Sequence, residues 1–170
     1  TTRWSCTGSR TAAPRSPQAS LRPIPPHRRA VLQDNAEWEG RRFILEWQGP
    51  DTCPPTELVE QVSGVCFTVD GRIVLVGEDA SGWGLPGGHP EPGEESTETL
   101  QREIAEEACC EVRTCTYLGS LKVTAADGRI HYQLRYWCLV AVRPFVPSVE
   151  VKARDLIQPE TFLDRLAYGR

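Results

Sequence analysis

No apolar run in this 170-residue chain approaches the roughly 20 residues of a membrane-spanning helix; the longest candidate is the short stretch Trp137 to Val142. A helical membrane anchor is therefore not expected. Excess positive charge is also missing. With 19 basic and 23 acidic residues, a net charge of -4 and a pI near 5.5, the chain has no overall field for a nucleic-acid backbone, and no stable nucleic-acid partner is expected. The seven cysteines form no C-x-x-C pair, and no histidine lies near Cys109, Cys110 and Cys115, so a zinc framework is disfavoured. An odd count of thiols, with Cys66 and Cys138 inside strand-like runs, points to reduced cysteines and a cytoplasmic location.

Acidic residues are absent from one segment only. Residues 1–30 hold six arginines and five prolines, whereas all 23 carboxylates follow. Such a composition buries too little apolar surface to fold alone, so residues 1–30 read as a disordered or loosely docked extension, and 31–170 as one folded domain.

Within that domain, Trp38 to Trp47 reads as an edge strand that could pair with a second copy in a homodimer. Val62 to Val69 and Arg72 to Val76 flank Asp70-Gly71, a strong hairpin signal. Gly82 to Gly88 is a Gly/Pro-rich loop, and Glu95 to Ala108 has the uninterrupted pattern of a helix. Glu111 to Val123 and Ile130 to Val142 form a second predicted hairpin around Asp127-Gly128. Val149 to Ile157 is weakly strand-like, and Pro159 opens a short helix through Leu166. Strands mixed with two helices give an α/β class.

The helix carries the chemistry. At about 100° per residue, Glu103, Glu106 and Glu107 fall together on one face, beside the apolar face of Leu100, Ile104 and Ala108. Crowded like charges repel by a few tenths of a kcal/mol per pair. Arg102 is expected to point to the flank, leaving a divalent cation as the simplest compensator, and carboxylate oxygens suit Mg²⁺, with Mn²⁺ as a substitute. A solvated Glu-rich helix is the bland alternative. Gly84, Gly87, Gly88 and Gly93 at its entrance tilt the balance, since such backbone can approach a ligand and offer N–H groups to phosphate. The loop lacks a G-K-[ST] ending and a following G-x-G-x-x-G, so P-loop and dinucleotide-fold readings fail.

From Gly88 the chain reads G-H-P-E-P-G-E-E-S-T-E-T-L-Q-R-E-I-A-E-E-A-C-C, which resembles the Nudix box, G-x5-E-x7-R-E-U-x-E-E-x-G-U with U bulky and aliphatic. Gly88, Glu94, Arg102, Glu103, Ile104, Glu106 and Glu107 stand in register; Cys109 replaces the final glycine and Cys110 the last aliphatic. The resemblance implies an α/β/α sandwich with a mixed β-sheet, and a metal-dependent hydrolase of diphosphate linkages. It implies metal binding by Glu103, Glu106 and Glu107, with the Gly87 carbonyl as a further ligand, and catalytic roles for these glutamates and Arg102. Glu94 would pair with Arg102 and brace the loop. Glu103 is the first choice of general base and Glu150 the second.

Substrate contacts are assigned to Gly88, His89 and Trp83, with Tyr132 as a further stacking candidate. The leading substrate class is a nucleoside or deoxynucleoside triphosphate. Nucleotide-sugar diphosphates come second, and a nucleotide-sensing domain without turnover is the alternative of a different kind. Cys109 stands where a left-handed glycine normally closes the helix, which costs about 1 kcal/mol if the turn is kept.

Overall fold

The computed structural model describes residues 32–38, 40–78 and 82–166. The Arg/Pro-rich segment 1–30 lies outside the described residues, as does most of the turn before the glycine loop. Two glycine turns set the sheet. In both, a glycine with positive φ (85° at Gly71, 84° at Gly128) follows an aspartate and completes the reversal that an L-residue would strain. The first joins β3 (Val59–Thr68) to β4 (Ile73–Gly77), and the second joins β6 (Cys110–Ala125) to β7 (Ile130–Val142).

The remaining strands are β1 (Gln33–Trp38), β2 (Arg41–Gln48), the two-residue β5 (Gly87–Gly88) and β8 (Ala153–Ile157). The order across the sheet is β1-β2-β6-β7-β3-β4-β8, with β5 also pairing β3. Among the described strands all pairings are antiparallel except β3 with β7, so the sheet is mixed.

Strand alternation divides the core between two faces. On one, Val62, Cys66, Leu134, Tyr136 and Cys138 meet Leu100, Ile104 and Ala108 of α1 (Ser96–Ala108). On the other, Ile73, Leu75, Trp83 and Ile157 meet Phe162 of the short α2 (Phe162–Arg165), which follows a 3₁₀ turn over Pro159–Thr161. Helices on both faces give the expected α/β/α sandwich.

Three expectations change in detail. The segment from Trp38 to Trp47 is not one edge strand: the chain reverses between Trp38 and Arg41, with Gly40 at φ 73°, and β2 is enclosed by β1 and β6. The strand-like stretch from Val149 begins only at Ala153, because Ser148 turns the chain by accepting from the Val151 N–H at 2.9 Å. The C-terminal helix is a 3₁₀ turn and a single helical turn. Among the described residues no helix is long and apolar enough to cross a membrane.

Candidate active site

Gly87 and Gly88 lie beside β3, opposite Ser63 and Val62 respectively. A Cβ at Gly87, where φ is 150°, would fall 2.2 Å from the Val62 carbonyl oxygen, so only glycine fits. A Cβ at Gly88 would fall 2.3 Å from Glu103 Oε1. The bare backbone therefore lets the loop touch Glu103, the first of the three clustered glutamates on the helix. Gly64 N–H donates to the Pro86 carbonyl at 3.0 Å and fixes the loop against the sheet.

The start of α1 is built by acids. The Glu98 carboxylate accepts from the Glu95 N–H at 2.9 Å, a reach-back that satisfies an otherwise unpaired donor. At its end Cys109 takes the left-handed conformation (φ 49°, ψ 46°), the one non-glycine residue with positive φ among the described residues. The helix thus closes as a glycine would close it. Arg154 donates to the Ala108 carbonyl at 2.7 Å and the Arg143 carbonyl at 2.9 Å, tying β8 and the segment after β7 to the helix terminus. The Cys109 thiol meets the Val146 backbone, accepting from its N–H at 3.4 Å.

Glu94 and Arg102 pair as expected: Nε donates to Oε1 at 2.8 Å and Nη2 to Oε2 at 3.0 Å, a bidentate fork. The buried Thr99 hydroxyl and the Glu91 N–H also donate to Glu94 Oε2. The guanidinium, above all, holds the Glu94 carboxyl down at about 2. Nη2 further donates to the His89 carbonyl at 3.0 Å, so one side chain braces loop against helix.

Arg102 does not stay on the flank. Its Nη1 donates to Glu103 Oε1 at 2.9 Å and to Glu106 Oε2 at 3.3 Å, so two of the three crowded acids have a basic partner. A long arginine reaches across the wheel angle that separates it from them. Glu107 is the acid left outside this network. Its Oε2 accepts from the Gly87 N–H at 2.8 Å. Burial lifts its pKa to about 7 against that hydrogen bond, and the charges of Glu103, Glu150 and Glu106 reinforce the rise. Glu150, exposed on the segment before β8, is thus within electrostatic reach of Glu107.

Among the described residues, no three His, Cys, Asp or Glu side chains are gathered into a ready-made metal cage. The donor set nevertheless fits a hard divalent cation. Burial drives the Glu107 carboxyl toward protonation, the charges of Glu103, Glu150 and Glu106 add to that, and a cation would relieve the cost. Arg102 occupies Glu103 and Glu106 in this arrangement, and a cation would share or displace it there.

The other assigned contacts divide. His89 is exposed, while Trp83 is 7% exposed in the α2-side core with Arg165 5.3 Å over its ring. Trp83 therefore packs in that core, a placement that differs from the stacking position expected of it. Sequence reasoning missed Thr99, Arg154 and Ser63. Ser63 is 2% exposed, and its hydroxyl is buried with no hydrogen-bond partner beside Gly87. Its signal was a polar residue at the start of an apolar run.

The family model for the NUDIX domain matches residues 58–164. A nucleoside triphosphatase NudI of Salmonella arizonae is 32% identical over 108 residues, covering 58% of this chain and 74% of that protein. Its counterpart from Salmonella heidelberg is 39% identical over 106 residues, covering 56% and 72%. In fold, the chain resembles the crystal structure of a point mutant of a Bacillus subtilis pyrophosphohydrolase, BsRppH. That likeness has a TM-score of 0.59 at 22% identity and covers 68% of this chain and 72% of the other.

Proposed function

The chain belongs to the NUDIX family and is a Nudix hydrolase, and from that premise we propose that it hydrolyses a diphosphate linkage in a nucleoside or deoxynucleoside triphosphate with Mg²⁺. The observation that carries the reading is Glu107: a half-buried carboxylate bonded to the Gly87 N–H and raised to about 7 by burial and its acidic neighbours. Such a group is costly without a positive partner. The nucleoside triphosphatase relatives support the substrate class.

Glu103, Glu106 and Glu107, with the Gly87 carbonyl, would hold the cation, which when bound neutralises phosphate charge and activates water. Gly88 gives the phosphate chain access to Glu103 along bare backbone. Arg102 fixes Glu103 and, through Glu94 and the His89 carbonyl, the loop; its catalytic part is positioning. Glu103 serves as general base in this reading, and Glu150 is the second carboxylate at the site. His89, exposed at the loop, contacts the phosphates. We assign catalysis to residues 31–170 and a cytoplasmic location from the thiol pattern.

The test is a set of nucleoside triphosphates, nucleotide sugars and dinucleotides incubated with Mg²⁺, scoring released phosphate and pyrophosphate. Turnover of triphosphates above the other classes is expected. Turnover of nucleotide sugars alone moves the substrate to that class, and tight metal-free nucleotide binding without turnover points to a sensor.

A further inference from the structure

On the sheet face turned away from α1, the parallel register of β3 and β7 sets Ser63 beside Arg135 and Gln61 beside Gln133. These four residues form a polar strip in a sheet whose neighbouring inward positions are apolar. The strip starts at the glycine loop, because Gly87 pairs with Ser63. Two residues along each strand, about 7 Å further on, lie Gln61 and Gln133. Trp137, partly exposed, follows Arg135 on the same face and stacks with Phe67 at 6.3 Å between ring centroids.

The orientation of both amides is fixed by chemistry. A guanidinium has donors only, so the amides turn their oxygens to it. Arg135 Nη2 donates to Gln133 Oε1 at 2.7 Å and to Gln61 Oε1 at 3.5 Å. Each –NH₂ group is then left directed away from Arg135, as a donor. The Ser63 hydroxyl, buried and without a partner, stands between these donors and the loop. An unpaired hydroxyl in a native interior is costly and marks a place where something else supplies the bond.

We propose that this strip is the subsite for the nucleoside end of the substrate, and that it selects bases whose edge presents carbonyl acceptors. Thymine, uracil and guanine fit, whereas adenine, which offers an amine there, does not. The proposal rests on the triphosphatase reading and deepens it. With the phosphates at Gly87-Gly88, the sugar lies over Ser63, and the base reaches Gln61 and Gln133. Pairing of the wrong base would leave amide donors facing a donor, a mismatch of the kind that sites built on hydrogen bonds reject strongly.

The experiment measures kcat and KM for dTTP, dGTP and dATP with Mg²⁺, and calorimetric binding of their non-hydrolysable imido analogues. The wild type is expected to favour dTTP and dGTP over dATP at least tenfold in kcat/KM. Gln133→Glu, which replaces the outward donor by an acceptor, should cut that ratio at least fivefold through KM. Ser63→Ala should raise KM for all three by a similar factor. Equal use of the three nucleotides, or a ratio unmoved by Gln133→Glu and Gln133→Leu in folded protein, overturns the subsite. Absence of turnover together with selective binding of the dTTP and dGTP analogues sinks the hydrolytic reading and leaves the subsite standing. Absence of both turnover and binding sinks both.

Discussion

The Gly87 N–H donates to Glu107 Oε2 at 2.8 Å, across 20 residues of sequence, and so locks the tip of the glycine loop to the last glutamate of α1. That bond favours the charged carboxylate, yet burial and the neighbouring acids outweigh it and leave the group at about 7.

A pH dependence of stability follows. Glu107 holds its proton in the folded protein up to about pH 7 but loses it near the ordinary value of 4.5 when unfolded. Between those values the folded state binds more protons, so this residue's contribution falls as pH rises from 4.5 to 7. Thermal melts of metal-free protein should show that loss, and Glu107→Gln should abolish it. Added Mg²⁺ should raise the melting temperature most above pH 7.

Arg102→Leu removes partners from Glu94, Glu103, Glu106 and the His89 carbonyl at once. Since the arginine side chain is 23% exposed, solvent takes up part of the loss, and a destabilisation of about 1–2 kcal/mol is expected by denaturant titration. Arg102→Lys should recover little of it, because one ammonium cannot reproduce the bidentate fork.

Gly88→Ala places a methyl group against the Glu103 carboxylate, the end of a flexible side chain that can move aside. Circular dichroism should show a folded protein, while kcat falls at least about tenfold as Glu103 is displaced, within the range known for perturbed metal-ligand geometry. Gly87→Ala meets backbone instead and should lower the melting temperature as well.

Cys109→Gly relieves a left-handed residue at a cost of about 1 kcal/mol and gives up only long thiol contacts to Val146. Unchanged activity and a melting temperature equal to or a few degrees above wild type are expected. A clear drop in either would give the thiol a structural role.

The glutamate helix and both aspartate-glycine hairpins were legible because each rests on local chemistry: a helical period free of glycine and proline, and a glycine at positive φ. The Glu94–Arg102 pair was legible through the motif. What depended on reach was not. Arg102 lies off the acidic face on a helical wheel but is long enough to touch Glu103 and Glu106, and Trp83 adjoins the loop in sequence while its ring turns into the α2-side core. The division of Trp38 to Trp47 between two strands was missed because Glu39-Gly40 is a weaker turn signal than Asp-Gly. The polar strip of Ser63, Gln61, Gln133 and Arg135 needed the parallel register of β3 and β7, which no local pattern encodes.

The most direct measurement of the central claim is Mg²⁺-dependent hydrolysis of nucleoside triphosphates by the wild type and by Glu107→Gln, with folding of both verified by circular dichroism. Turnover by the wild type that requires Mg²⁺ and falls at least about a hundredfold in the variant is the predicted result. Full activity in Glu107→Gln, or equal activity after exhaustive chelation, would contradict the assignment of Glu107 as a metal-binding group.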